Sequence, residues 1–152
     1  MRLRRYRSDD LEEIVRLFYD TVNCVNIRDY TKDQVKVWSA GGKRLEKSDE
    51  WFMAMYTVVA VDEGIIVGYG NIDGSGYLDH LYVHKDRQGC GIGTAICDRL
   101  EETVTAGKIT VHASVTARPF FERRDYKVVR EQQVWRDGVA LTNFLMEKVV
   151  ER

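Results

Sequence analysis

Six consecutive residues, Gln88-Gly89-Cys90-Gly91-Ile92-Gly93, put a glycine at every second position. With no Cβ atoms in the way, such a backbone lets a ligand come close to the chain. The residues before the turn, Leu81-Tyr82-Val83-His84, have strand character. Those after it carry Ile92, Ile96, Leu100 and Val104 on one helical stripe. A helix that opens here offers its first N–H groups unpaired, with the positive end of its dipole behind them. That combination makes an anion site, most naturally for phosphate. Two nucleotide loops are excluded. The dinucleotide fingerprint needs G-x-G-x-x-G, whereas these glycines space as G-x-G-x-G, and a Walker loop needs a G-K-[ST] that the chain lacks. A plain strand-to-helix turn is the alternative reading of the same glycines.

Proton-transfer chemistry is available nearby. On strand 77–84, Tyr77, Asp79 and Leu81 share one face and Leu78, His80 and Tyr82 the other. Asp79 supplies the carboxylate of that strand. His112 lies on strand 109–113, on the face of Thr110 and Ser114, and an imidazole near its natural pKa is poised for proton transfer at neutral pH. Each also has a plainer reading, as a hydrogen-bonded strand residue or a satisfied core histidine. His80 and His84 are less suited.

The chain has 152 residues, 44% apolar and 31% charged, with a net charge of -1. That suits one domain, 1–152, with a sizeable core, and gives no sign of a nucleic-acid partner. The basic opening, Arg2, Arg4, Arg5 and Arg7, alternates with Leu3 and Tyr6 and reads as a solvated edge strand. No apolar run is long enough to span a bilayer, and no apolar leader segment follows the basic start. Cys24, Cys90 and Cys97 show no metal spacing and fit a reducing compartment. The expected location is the cytoplasm, with no membrane partner and no metal.

The elements that must position these residues alternate in period. Residues 2–7 read as a strand. Asp9 or Asp10 can cap a helix carrying Leu11, Ile14, Val15, Phe18, Val22 and Val25 on one face. A second helix starts at Thr31, where Thr31 and Gln34 form a capping box, and ends at Gly41-Gly42. Residues 48–55 suggest one more short helical piece. Strands 57–62, 65–72 and 77–84 form a meander. The helix after the glycine turn is expected over 91–106 with Gly107 as its stop, then a short strand 109–113. Residues 116–124 make a helix with Pro119 in its first turn. Strands 126–135 and 139–150 close the chain around Asp137-Gly138, a strong hairpin signal. The helix between strands 77–84 and 109–113 makes that pair parallel. The fold class is therefore α/β (α+β): a mixed, mostly antiparallel twisted sheet flanked by helices.

Gln88-x-x-Gly91-x-Gly93 straight after Leu81-Tyr82-Val83 resembles the coenzyme-A loop of the GNAT superfamily of N-acetyltransferases. Ala117-Arg118-Pro119-Phe120-Phe121-Glu122 followed by Tyr126 resembles that family's A-x-x-F-Y-E-x-x-G-F segment. The run Val25-Asn26-Ile27-Arg28-Asp29-Tyr30 is similar to a bacterial subgroup that names no substrate. The resemblance covers the whole chain and implies the following. Acetyl-coenzyme A is the donor. The backbone of Gln88, Gly89, Cys90, Gly91, Ile92, Gly93 and Thr94 holds its pyrophosphate. Leu81, Tyr82 and Val83 run beside the pantetheine, with an N–H near Val83 polarising the thioester carbonyl. Strands 77–84 and 109–113 splay to admit the arm. Ser114 stands where many members have an asparagine. Phe121 stands where many have the tyrosine that protonates the departing thiolate, so the acid is open, with Tyr82 and water as replacements. Asp79 and His112 are the candidate bases. Asn26, Asp29 and Tyr30, with Asn23 and Trp38, are candidates for the acceptor pocket. The implied reaction is N-acetylation of a small-molecule or peptide amine by direct attack. The alternative is a non-catalytic acyl-coenzyme-A-binding regulatory or scaffold module. The apolar final hairpin, with Phe144, Leu145 and Met146, offers a surface for a homodimer or a cover for the chain's own helices.

Overall fold

The computed structural model describes residues 1–152, the surroundings of the Ala106 side chain excepted. Seven strands form one sheet: β1 (Arg2–Arg5), β2 (Tyr56–Asp62), β3 (Ile65–Ile72), β4 (Tyr77–Val83), β5 (Ala106–Ser114), β6 (Lys127–Arg136) and β7 (Val139–Glu151). Their order is β1-β2-β3-β4-β5-β7-β6. Among the described pairings every one is antiparallel except β4–β5, which is parallel and joins only Tyr77 to Thr110 and Leu78 to Val111. Beyond Leu78 the two strands part, as the resemblance implied.

Helices cover both faces. On one side lie α1 (Leu11–Cys24), α2 (Lys32–Ser39), α3 (Gly42–Leu45) and α4 (Asp49–Ala54). Ile14, Leu17, Phe18 and Val22 form the buried stripe of α1, packed with Val35, Phe52, Val59 and Tyr69. Burying each such side chain contributes about 1.5–3 kcal/mol before chain entropy is set against it. On the other side lie α5 (Ile92–Glu101) and α6 (Arg118–Arg123), with Ile92, Ile96, Leu100 and Phe121 against Val58, Ala60, Ile109 and Met146. Helix α5 approaches β3 very closely. A Cβ on Gly68 would stand 2.8 Å from Ile92, and one on Gly70 would stand 2.9 Å from Ile96.

The Thr31–Gln34 capping box starts α2, with the Gln34 amide donating to Thr31 Oγ1 at 3.2 Å and the Thr31 amide to Gln34 Oε1 at 2.8 Å. The hairpin turn Asp137-Gly138 has both residues at positive φ, 47° and 77°, which is the type I′ geometry.

Four expectations need correction. Helix α2 ends at Ser39, before Gly41-Gly42, and Gly42 opens the short α3 instead. Helix α5 stops at Glu101, not at Gly107, because Thr103 Oγ1 takes the Leu100 carbonyl at 2.7 Å and competes with helix continuation. Gly107 then lies within β5, opposite Val150. Arg4 on edge strand β1 is not simply solvated. Its guanidinium grips Asp10 through two 2.8 Å bonds, and the Arg7 amide adds a third at 2.8 Å. Asp10 is therefore spent on the β1 connection and makes no side-chain cap on α1. The final hairpin needs no correction: Phe144 and Met146 are buried in the chain's own core, the second of the two readings given for them.

Candidate functional site

The glycine turn starts α5 through Gly91, whose φ of 80° is left-handed. Gly89, at φ 71°, shares that conformation, and a Cβ at either residue would meet nothing within 4 Å. The surface there is open backbone. Ala95 donates to the Gly91 carbonyl at 3.0 Å, so the amides of Ile92, Gly93 and Thr94 ahead of it point out of the helix end.

The loop is tied to β4. Gln88 Nε2 donates to the Val83 carbonyl at 2.8 Å, and Thr21 Oγ1 from α1 donates to the same carbonyl at 3.0 Å. The pairing of β3 with β4 sets the direction of the main chain. His84 donates to the Val67 carbonyl at 2.8 Å, and Tyr82 faces Tyr69 two residues back. Antiparallel alternation then turns the N–H and C=O groups of Leu81 and Val83 toward the opposite edge. That edge faces the gap where β5 diverges.

A cleft of about 520 Å³ fills this gap. It is lined by Leu81, Tyr82, Val83, Gln88, Gly89, Gly91, Ile92, Gly93, Thr94, Ser114 and Phe121, all of them expected cofactor contacts. Cys90 is exposed and is not part of the lining; its thiol leans on the Gln88 carbonyl at 3.5 Å. Thr21, Arg87, Phe120 and Arg123 also line the cleft. Sequence spacing gives no signal for Thr21, Arg87 or Arg123, whereas Phe120 lies in the Ala117–Glu122 segment that carries the resemblance. Arg87 is held by Asp62 at 2.7 Å.

A second cavity, of about 630 Å³, adjoins the first along β4. Asp79, Tyr82, His112, Ser114 and Trp38 line both cavities. Burial raises the Asp79 carboxyl above its usual value, the Asp73 charge adds to this, and His112 pulls the other way. His112 stands edge-on to Tyr77, ring centroids 5.3 Å apart. Trp38 Nε1 donates to the Tyr82 hydroxyl at 3.2 Å, and burial raises the Tyr82 phenol further above neutrality. Ser114 Oγ accepts from the Ala117 amide at 3.0 Å.

Of the residues expected in an acceptor pocket, Asn26 is buried and lines the first cavity, whereas Tyr30 lines the second. The Tyr30 hydroxyl is already committed, donating to the Thr142 carbonyl at 2.7 Å and accepting from the Val115 amide at 2.8 Å. Asp29 is exposed, lines neither cavity, and accepts from Thr116 Oγ1 at 2.8 Å. His80, the less suited histidine of β4 by sequence, lines the second cavity, and its Nδ1 meets the Tyr69 hydroxyl at 3.1 Å. Burial lowers its pKa to about 4, so the ring is neutral at pH 7.

A sequence profile described as an acetyltransferase (GNAT) domain matches residues 26–148. The chain belongs to the GNAT acetyltransferase family. As a member it is an acyltransferase that uses acetyl-coenzyme A. Among curated relatives, an uncharacterised N-acetyltransferase of Escherichia coli, YafP, is 29% identical over 152 residues, covering 96% of this chain and 94% of the relative. A GCN5-related N-acetyltransferase structure from Rhodopseudomonas palustris is 28% identical with a TM-score of 0.92, over 98% of this chain and 95% of that one. A PaiA N-acetyltransferase from Thermoplasma acidophilum, solved with coenzyme A, has a TM-score of 0.74 at 15% identity over 97% and 98% of the two chains, a likeness of fold. The open glycine backbone and the outward amides of Leu81 and Val83 suit the pyrophosphate and the amide-bearing arm of this GNAT donor.

Proposed function

We propose that the chain transfers the acetyl group of acetyl-coenzyme A to a primary amine of a small molecule or peptide by direct attack. The observation that carries this reading is the set of residues lining both cavities, Asp79, Tyr82 and His112 among them, where donor and acceptor would meet. The donor supplies an activated thioester. Everything else falls to the protein.

An alkylammonium has a pKa near 10 and must lose a proton before it attacks. Asp79 is the base. Burial and the Asp73 charge raise its pKa, which makes it a better proton acceptor than an ordinary carboxylate. The outward N–H groups of Leu81 and Val83 favour negative charge on an acyl oxygen held along β4. Phe121 is buried against Tyr126 at 5.0 Å between centroids and has no proton to give. The Tyr82 hydroxyl takes the acid role. It accepts from Trp38 and so keeps its own hydrogen for the departing sulfur. Its raised pKa keeps it protonated at neutral pH.

Phe121 also supports the second reading, a non-catalytic module that binds acyl-coenzyme A. Thiol release from acetyl-coenzyme A with a panel of primary amines decides between them. Release above background with any amine supports the enzyme. Micromolar coenzyme-A binding with no release beyond background supports the module. For the partner, the exposed Val128, Val129 and Trp135 on outer strand β6 suggest pairing with a second chain; sedimentation of wild type against Trp135→Glu tests that. Among the described residues no helix is long and apolar enough to cross a membrane. The three cysteines are free, and a cytoplasmic location is proposed.

A further inference from the structure

The second cavity carries a charge pattern that acetyl transfer by itself does not need. It shares Trp38, Asp79, Tyr82, His112 and Ser114 with the cleft. Its lining also includes two arginines, Arg44 on α3 and Arg136 at the end of β6. Both are exposed. Among the described residues neither has a carboxylate within ion-pair distance, and Arg136 makes one bond, to the neighbouring Trp135 carbonyl at 3.2 Å. Asp137 lines the cavity too, at the exposed hairpin turn, but does not pair with Arg136. Val37, Trp38, Val134 and Leu141 supply apolar lining.

Strand register gives the spacing. Leu78 faces Val111, which sets Asp79 near the level of His112; His112 faces Leu145, and Leu145 faces Arg130 on β6. Arg136 follows Arg130 by six residues (136 − 130 = 6). At about 3.3 Å per residue, its Cα lies roughly 20 Å along the hairpin from the level of Asp79. The flexible side chain shortens that by several ångströms. An amine placed beside Asp79 meets the guanidinium only through a group at the far end of the same molecule. A guanidinium presents a planar fork of donors that matches a carboxylate or a phosphoryl oxygen pair.

We propose that this cavity selects amines that carry an acid group across an apolar spacer, with the acid recognised by Arg44 and Arg136 and the amine delivered to Asp79. The proposal rests on the acetyl-transfer reading above, since it assigns the acceptor of that same site. An amine of this kind is held at both ends, which fixes the nitrogen relative to the cofactor cleft. A neutral amine is held at one.

The probes are 4′-(aminomethyl)biphenyl-4-carboxylate, its phosphonate analogue, and its uncharged amide, which has the same size and spacer. Binding to coenzyme-A-loaded protein is read by calorimetry, and turnover by thiol release. Partly exposed ion pairs predict an acid-over-amide preference of about three- to tenfold, shrinking as salt is raised. In the Arg44→Gln/Arg136→Gln double variant the preference falls to about one, while amide binding is unchanged. Preference for the phosphonate over the carboxylate identifies a phosphoryl acceptor within the same class. Equal binding of acid and amide by wild type, a preference that survives in the double variant, or no binding of any probe overturns the proposal. Binding with the predicted preference but no turnover sustains it and counts against the acetyl-transfer reading alone.

Discussion

The cleft beside the glycine turn and the second cavity meet along β4, yet they draw on different parts of the chain. Beside its side chains the cleft presents main chain: amides at the start of α5, the open backbone of Gly89 and Gly91, and the outward edge of Leu81 to Val83. The second cavity is side chain, contributed by α2, α3, β4, β5 and the β6–β7 hairpin. A backbone site binds what every member of a family shares. A side-chain site distinguishes one substrate from another. Substitutions should therefore act on the two regions differently, with a side chain added at a glycine the most damaging change in the first and side-chain truncation the most damaging in the second.

The largest effect is expected from adding a side chain where the cleft has none. Gly91→Glu combines strain at φ 80° with a negative charge at an anion site. Coenzyme-A affinity measured by calorimetry should fall by more than about 100-fold, a loss of roughly 3 kcal/mol. Retained affinity would remove the loop from the site.

Asp79→Asn comes next, on the side-chain half. Turnover should drop by about 100-fold or more while coenzyme-A affinity stays within about twofold. The pH profile adds a sign. The raised carboxyl pKa means activity is present above it and is lost as pH falls through it, so the acid limb should lie above the ordinary carboxylate value near 4. Asp79→Asn should abolish that limb. An unchanged limb would hand the role to His112.

Thr21→Val is expected to act more weakly, because it removes one of the two donors to the Val83 carbonyl and leaves Gln88 in place. Losing one such bond costs about 1 kcal/mol, so coenzyme-A affinity should weaken about fivefold. The smallest effect belongs to Cys90→Ser, within about twofold of wild type, since the thiol lies outside the cleft lining. A large loss there would mean that the loop binds through side chains after all.

The same contrast decides what is legible in the sequence. The glycine turn, the strand before it and the helix stripe after it are contiguous, so local spacing carries their meaning, and β4, the turn and the start of α5 fall where that spacing puts them. The Asp137-Gly138 hairpin and the Thr31–Gln34 capping box are legible for the same reason. The second cavity joins residues more than 90 positions apart, such as Arg44 and Arg136, and no local pattern encodes that. Thr21 is hidden because its partner, Val83, is on another element. Asp29 stands out in the sequence as a loop carboxylate, but its oxygen is occupied by Thr116. The stop of α5 falls earlier than the glycine signal implies because the Thr103 hydroxyl, not a glycine, ends the helix. Glu101 has the spacing of a surface helix residue. It is buried, taking bonds from Tyr126 at 2.9 Å and Lys148 at 2.9 Å.

The parallel seam between β4 and β5 rests on two residue pairs, Tyr77–Thr110 and Leu78–Val111. Mechanically, that makes the sheet two plates, four strands and three, joined at one short weld. Tyr30 adds a rivet, its hydroxyl bridging the Val115 amide and the Thr142 carbonyl on the smaller plate. A molecule bound along the open edge of β4 would brace the plates against each other. Amide exchange at Leu81 and Val83 should then slow when coenzyme A is added, well before any amine is present.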